Sequence, residues 1–198
     1  MRETRVLKLT IAYDGTRYAG WQRQNHRHGT HPSIQAELER ALSRVLHERV
    51  RVTGSGRTDS GVHALAQVAH MRTRSRLPSS LMVRAINSQL PNDIVVSRVS
   101  VARGTFHAQR DATRKAYRYR IRTGAASPFD REYVYHVHGA LNVAAMRRAA
   151  RALTGTHDFA PFQAAGSPRQ STVRRLTGAR VQQHNGYVDI ELAGKGFL

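Results

Sequence analysis

The amino-acid sequence predicts an α+β fold of two ferredoxin-like (RRM-like) halves, each a mainly antiparallel sheet with helices packed on one face. Three observations lead there. Apolar residues recur with a period of two in some short segments and near 3.6 in others. In the first half these segments run strand, helix, strand, strand, helix, strand, which is the split ferredoxin-like order. A second round of strand and helix signals starts near Phe106, with no low-complexity linker before it. The expected halves are residues 1–105 and 106–198. Internal sequence repetition is not evident, so the duplication rests on element order alone.

Val6 to Tyr13 alternates, with Leu7, Leu9, Ile11 and Tyr13 on one face, and predicts a half-buried strand ending at Asp14-Gly15. A polar loop follows, carrying Tyr18 and the single tryptophan, Trp21, among arginines and glutamines. Such a mixture suits base stacking and phosphate contacts, or the two rings plug the end of a core. Ser33 can cap a helix whose apolar face is Ile34, Leu38, Leu42, Val45 and Leu46. Val50 to Thr53 and Ala66 to Met71 read as strands on either side of a glycine-rich loop. Pro78-Ser79-Ser80 starts a helix to about Leu90, closed by Pro91, and Ile94 to Val101 is another strand. In the second half Tyr117, Tyr119 and Ile121 alternate with Arg118, Arg120 and Arg122. One face is expected to grip and the other, with Tyr119, to pack. Asn142 can cap a helix through Val143, Met146, Ala150 and Leu153, ended at Gly155. Thr172 to Gln183 and Tyr187 to Leu192 form a hairpin pattern around Asn185-Gly186, a favoured two-residue turn.

The glycine-rich loop, Gly54-Ser55-Gly56-Arg57-Thr58-Asp59-Ser60-Gly61-Val62-His63-Ala64, sets one carboxylate among three glycines in a basic chain. Asp59 there either makes an Asx-turn with its own backbone or is poised for chemistry. A phosphate-cradling loop needs Lys followed by Ser or Thr after its last glycine, where Val62-His63 stands. A dinucleotide fingerprint needs glycine at the place of Asp59. Asp59-Ser60-Gly61 has the form of an aspartic-protease half-site, but that chemistry needs a second carboxylate sharing a proton.

Thirty-two Lys and Arg against 13 Asp and Glu give a net charge of +19, which attracts polyanions such as RNA, DNA or an anionic surface. Arginine dominates over lysine, as suits phosphate forks and stacking on bases. A coat of charge like that of ribosomal or chromatin proteins is the alternative on charge alone. The absence of cysteine excludes disulfides, thiolate nucleophiles and thiolate zinc sites. His26, His28 and His31, clustered in a loop, and His136 and His138, which alternate, lack neighbouring carboxylates or cysteines, so no metal is expected. No apolar run reaches membrane-span length and no signal-peptide core follows Met1-Arg2-Glu3-Thr4-Arg5, so a soluble, cytoplasmic protein is expected.

Gly56-Arg57-Thr58-Asp59-Ser60-Gly61-Val62-His63-Ala64 resembles the signature of the TruA family of tRNA pseudouridine synthases, whose usual form has Ala at the place of Ser60. Tyr13 to Gln24 resembles the family's N-terminal signature. Phe106-His107-Ala108 with Tyr117-Arg118-Tyr119 resembles its central motif. Gly155-Thr156-His157-Asp158-Phe159 with Phe162, and Gly194-Lys195-Gly196-Phe197-Leu198, resemble later ones. Gln109 departs from the family's usual Arg, with Arg110 next to it. Family members also continue beyond the Gly-Phe-Leu at which this chain stops.

The resemblance implies a pseudouridine synthase fold and a cofactor-free isomerase that converts uridine to pseudouridine in the anticodon stem-loop of tRNA, acting as a homodimer. It implies Asp59 as the catalytic carboxylate, with Arg57 beside it and Tyr117 stacking on the flipped base; Tyr117 as a structural tyrosine is the alternative. Arg23, Gln24, His63 and Arg110 are candidate RNA contacts. An adjacent guanidinium such as Arg57 favours a charged Asp59. The rival reading is a noncatalytic RNA-binding remnant, and the ending inside a strand is expected to leave this chain poorly active, less stable and prone to self-association.

Overall fold

The computed structural model describes residues 3–23, 31–163 and 171–197. They form two compact units, divided after Ala112. The boundary expected near residue 105 falls inside the first unit. There the Phe106 ring meets His70 edge to face, and the Ala108 N–H donates to His70 Nδ1 at 3.1 Å.

In the first unit β1 (Arg5–Tyr13), α1 (Ile34–Leu46), β2 (Val52–Gly54), β3 (Ala64–Thr73), α2 (Ser79–Asn87) and β4 (Ile94–Ala102) follow the expected order. The sheet runs β2-β3-β1-β4, and every pair is antiparallel. This is the ferredoxin-like arrangement, with the first strand at the centre. Leu7, Leu9 and Ile11 are fully buried with Ile34, Leu38 and Leu42 of α1 and Met82 and Ile86 of α2, so both helices cover one face. Each such side chain contributes about 1.5–3 kcal/mol. Ser33 caps α1, its Oγ accepting from the Ala36 N–H. The pairing of β1 with β4 shifts register between Thr10 and Ile11, where a bulge lets Val96 and Val99 both turn into the core. Helix α2 stops at Asn87, short of Leu90, because the Asn87 amide bonds both the N–H and the C=O of Val96.

The second unit contains β5 (Lys115–Thr123), β6 (Tyr135–Val137), α3 (Val143–Ala152), β7 (Gly155–Asp158), a short 3-10 turn (Ala160–Phe162), β8 (Val173–His184) and β9 (Tyr187–Gly194). Its sheet runs β6-β5-β9-β8-β7. The central order β5-β9-β8 repeats the first three strands of the ferredoxin-like pattern. β6 lies on the far side of β5 and runs parallel to it, where that pattern places an antiparallel fourth strand. Asn142 caps α3 through the Ala145 N–H, and Asn185 and Gly186 turn the β8–β9 hairpin with φ of 47° and 81°.

Two expectations for β5 need correction. Tyr119 shares the face of Ile121, but α3 covers only the end of that face at Ile121, Val181 and Val188. Tyr119 is 54% exposed and meets Tyr135 instead of entering the core. The arginine face is not a row of free cations: Arg118 pairs with Glu191, Arg120 with Asp189 and Arg122 with Asp130.

Candidate active site

The glycine-rich loop joins β2 to β3, and the pairing of Gly54 with Ala69 closes its base. At the entrance Ser55 Oγ donates to Gln67 Oε1 at 2.7 Å, and Gln67 Nε2 donates to the Gly56 carbonyl at 2.8 Å. The segment after β1 then clamps the loop from the side. The Trp21 N–H donates to the Thr58 carbonyl at 2.9 Å, the Gly61 N–H to the Tyr18 carbonyl at 3.3 Å, and the Tyr13 hydroxyl meets Thr58 Oγ1 at 2.9 Å. Ser60 Oγ adds a bond to the Tyr18 carbonyl at 3.1 Å that an alanine there would lack.

The two backbones approach so closely that glycine is required. A Cβ on Gly15 would lie 2.1 Å from the Val62 oxygen, and one on Gly20, where φ is +93°, would lie 2.5 Å from the Thr58 oxygen. Trp21 and Tyr18 are 3% and 4% exposed. They are parts of this clamp and of the core, not a surface for stacking bases. Trp21 sits against Gly54, where any Cβ would meet its indole at 2.5 Å.

Asp59 rides at the crest, exposed, and its carbonyl accepts from the Val62 N–H at 3.2 Å to close a turn. Among the described residues its carboxylate takes no hydrogen bond and no ion pair, so the Asx-turn reading does not hold. Arg57 is exposed as well and forms no ion pair with Asp59. It lines an open cavity of about 180 Å³ with Trp21, Gln22, Gly56 and Gln109. The loop therefore fixes the carboxylate by its backbone and leaves its oxygens exposed.

The other candidates are spread out. His63 turns inward, its Nδ1 accepting from the Gly15 N–H at 3.1 Å and lying 3.0 Å from Asp14 Oδ1. Arg23 and Arg110 are exposed on the first unit, and Gln24, His26 and His28 lie outside the described residues. Gln109, not Arg110, lines the cavity beside Arg57. Tyr117 belongs to the second unit, 42% exposed on β5 opposite Leu192, with its ring edge-to-face on Phe197 at 4.8 Å. Near it Phe159, Phe162, Leu192 and Phe197 line an apolar cavity of about 220 Å³. Sequence reasoning misses Gln67 and Asp93, which steady the loop and its clamp, because each acts through long-range hydrogen bonds without a local signature. Among the described residues no group of His, Asp or Glu is placed to hold a metal, and no helix is long and apolar enough to cross a membrane.

One exposed carboxylate, presented on a backbone-clamped loop by an RRM-like sheet in a chain of net charge +19, defines the class: a basic α+β protein whose charge attracts polyanions. The chain belongs to the tRNA pseudouridine synthase family, whose model matches residues 9–110 and 149–198. It is 44% identical over 196 residues to tRNA pseudouridine synthase A of Ruminiclostridium cellulolyticum, covering 98% of this chain and 78% of that protein. The enzyme of the same name from Geobacter sulfurreducens is 44% identical over 195 residues, and that from Thermoanaerobacter sp. is 38% identical over 195, with the same coverage.

Proposed function

We propose that this chain isomerises uridine to pseudouridine in the anticodon stem-loop of tRNA, with Asp59 as the catalytic carboxylate. The observation that carries this reading is the Asp59 loop: an acid group without an internal partner among the described residues, on a loop held by hydrogen bonds to the backbone of the segment after β1. Family membership supplies the reaction, and the charge of +19 suits the substrate.

The reaction breaks the N1–C1′ bond, turns the uracil and joins C5 to C1′; the C5 proton leaves and N1 is protonated, so no redox partner is needed. Asp59 serves either as nucleophile at C1′ or as base at the ribose C2′, and both routes need an ionised carboxylate in reach of the sugar. The target uridine must leave its stack, at a cost of a few kcal/mol. Tyr117, exposed on β5 with an edge-to-face neighbour, is suited to stack on the flipped base. Arg57, Arg23 and Arg110 are unpaired among the described residues, unlike the β5 arginines, and are available to phosphates. A cytoplasmic homodimer binding one tRNA across both subunits completes the proposal.

Release of tritium from tRNA labelled at uridine C5 tests it. The expected result is release with the native chain and a loss on the order of 10²-fold or more with Asp59→Asn, while tRNA binding persists. Binding without release by the native chain, extended past Leu198 or not, would support the noncatalytic reading.

A further inference from the structure

Asp93 lies in the turn between α2 and β4, far in sequence from the glycine-rich loop. Its carboxylate accepts three bonds: the Tyr18 hydroxyl at 2.6 Å, and Arg17 Nε and Nη2 at 3.1 and 2.5 Å. Its main-chain oxygen accepts the Asp14 N–H at 2.9 Å. Asp93 therefore grips the Asp14–Tyr18 segment at three residues. Tyr18 passes that grip on, since its carbonyl receives both Ser60 Oγ and the Gly61 N–H, the two residues that follow Asp59.

The protonation states suit the arrangement. Burial, then the bond to Asp93, raises the Tyr18 hydroxyl far above its ordinary range and keeps it a donor. Burial works to raise Asp93, but the bonds from Tyr18 and Arg17 outweigh it and hold the carboxyl below its ordinary value, ionised as the acceptor. Charge-assisted bonds of this kind are short and strong, so the Tyr18 ring has little freedom and anchors the main chain whose carbonyl meets the loop.

We propose that Asp93 is a positioning residue for Asp59, acting through Tyr18 on the backbone of Ser60 and Gly61. The inference rests on Asp59 being the catalytic carboxylate. Removing the grip leaves the Asp59 carboxylate chemically intact but lets its loop wander, and a misplacement of about 1 Å costs on the order of 10²-fold in rate.

Two variants test this, Asp93→Asn and Tyr18→Phe, with two readouts. In hydrogen exchange followed by NMR, the Gly61 and Trp21 amides should exchange on the order of 10-fold faster or more in either variant, while Leu9 and Ala69 in the sheet keep their protection. In tritium release at saturating tRNA, kcat should fall by about 10- to 10²-fold with KM unchanged. The double variant should be no slower than the worse single one, because both changes cut the same chain of contacts. Unchanged exchange at Gly61 and Trp21, or effects on kcat that multiply in the double variant, would overturn the relay. Persistent turnover in Asp59→Asn would instead overturn the catalytic assignment, and the exchange result would still report on the contacts.

Discussion

Asp189 sits on β9 with 5% of its surface exposed and both carboxylate oxygens bonded to Arg120, whereas Asp59 sits exposed on a loop that is held only through its backbone and its neighbours. The hydrogen bonds of Arg120 hold Asp189 below the ordinary carboxylate range, against the opposing effect of burial. The same residue type thus serves two ends. A carboxylate that organises a sheet is enclosed with its counter-ion, and the one proposed to meet substrate has no partner for its oxygens among the described residues while the main chain supplies the rigidity. Placing the rigidity in the backbone also explains why Gly15 and Gly20 sit on the clamp, since any side chain there would enter the loop.

The sharpest way to break the contrast is to neutralise each carboxylate. Asp59→Asn should lower tritium release by on the order of 10²–10⁴-fold and leave urea unfolding almost unchanged. Asp189→Asn should do the reverse, lowering stability by about 1–3 kcal/mol because Arg120 loses its charged acceptor in a partly enclosed site. A stability loss in the first or a turnover loss in the second at full folding would erase the distinction.

A second comparison separates glycines that make room from glycines that only turn. Gly20→Ala sets a Cβ against the Thr58 oxygen at a φ of +93°, so the loop must shift and turnover should fall by about 10²-fold. Gly61 has a φ of +77° but open space where a Cβ would go. Gly61→Ala should therefore cost about 1–2 kcal/mol of backbone strain and far less activity. Equal losses of activity in the two would mean that contact between the backbones does not fix the loop.

Tyr117 and Tyr119 offer a third. They share one face of β5 and are 42% and 54% exposed, so Ala at either should lower stability by less than the ~3 kcal/mol typical of a buried aromatic. Only Tyr117→Ala should also slow turnover. Similar turnover in both variants would return Tyr117 to a structural role.

The first unit is largely legible in the sequence because its signals are local and agree: strict alternation in β1, a serine cap on α1, and a glycine loop between two strand patterns. The Asn185-Gly186 hairpin is legible for the same reason. β6 and β7 are not, being only three and four residues long, too short for an alternation to show. The exposure of Tyr119 escapes because periodicity assigns a face but not how far a helix reaches along it. Trp21 presents the opposite case, since a polar loop around an aromatic suits stacking equally well until Gly54 is seen beneath the indole. At the site the carboxylate is visible in its motif, while the clamp is a set of hydrogen bonds between segments about 40 residues apart. Arg57 and Asp59 form no ion pair for a related reason, as nearness in a loop does not aim two side chains at each other.

The smallest expected effect concerns His70, which contrasts with the loop in being held by side chain rather than main chain. Its Nδ1 accepts the Ala108 N–H, so the ring must be neutral there, and burial with the nearby His107, Arg72 and Arg110 lowers its affinity for a proton. A group whose folded value lies below its unfolded one contributes stability that is present above the unfolded value, about 6.5, and lost as pH falls through the folded one. The first unit should then weaken as pH drops below about 6.5, by less than ~1 kcal/mol, because solvent screens this part-exposed ring. His70→Asn, which keeps an acceptor near the Ala108 N–H but does not titrate, should flatten that part of the profile. Urea midpoints between pH 5 and 8, compared between native and variant chains, measure it; parallel profiles would show that the Phe106–Ala112 segment is held to the sheet independently of His70 protonation.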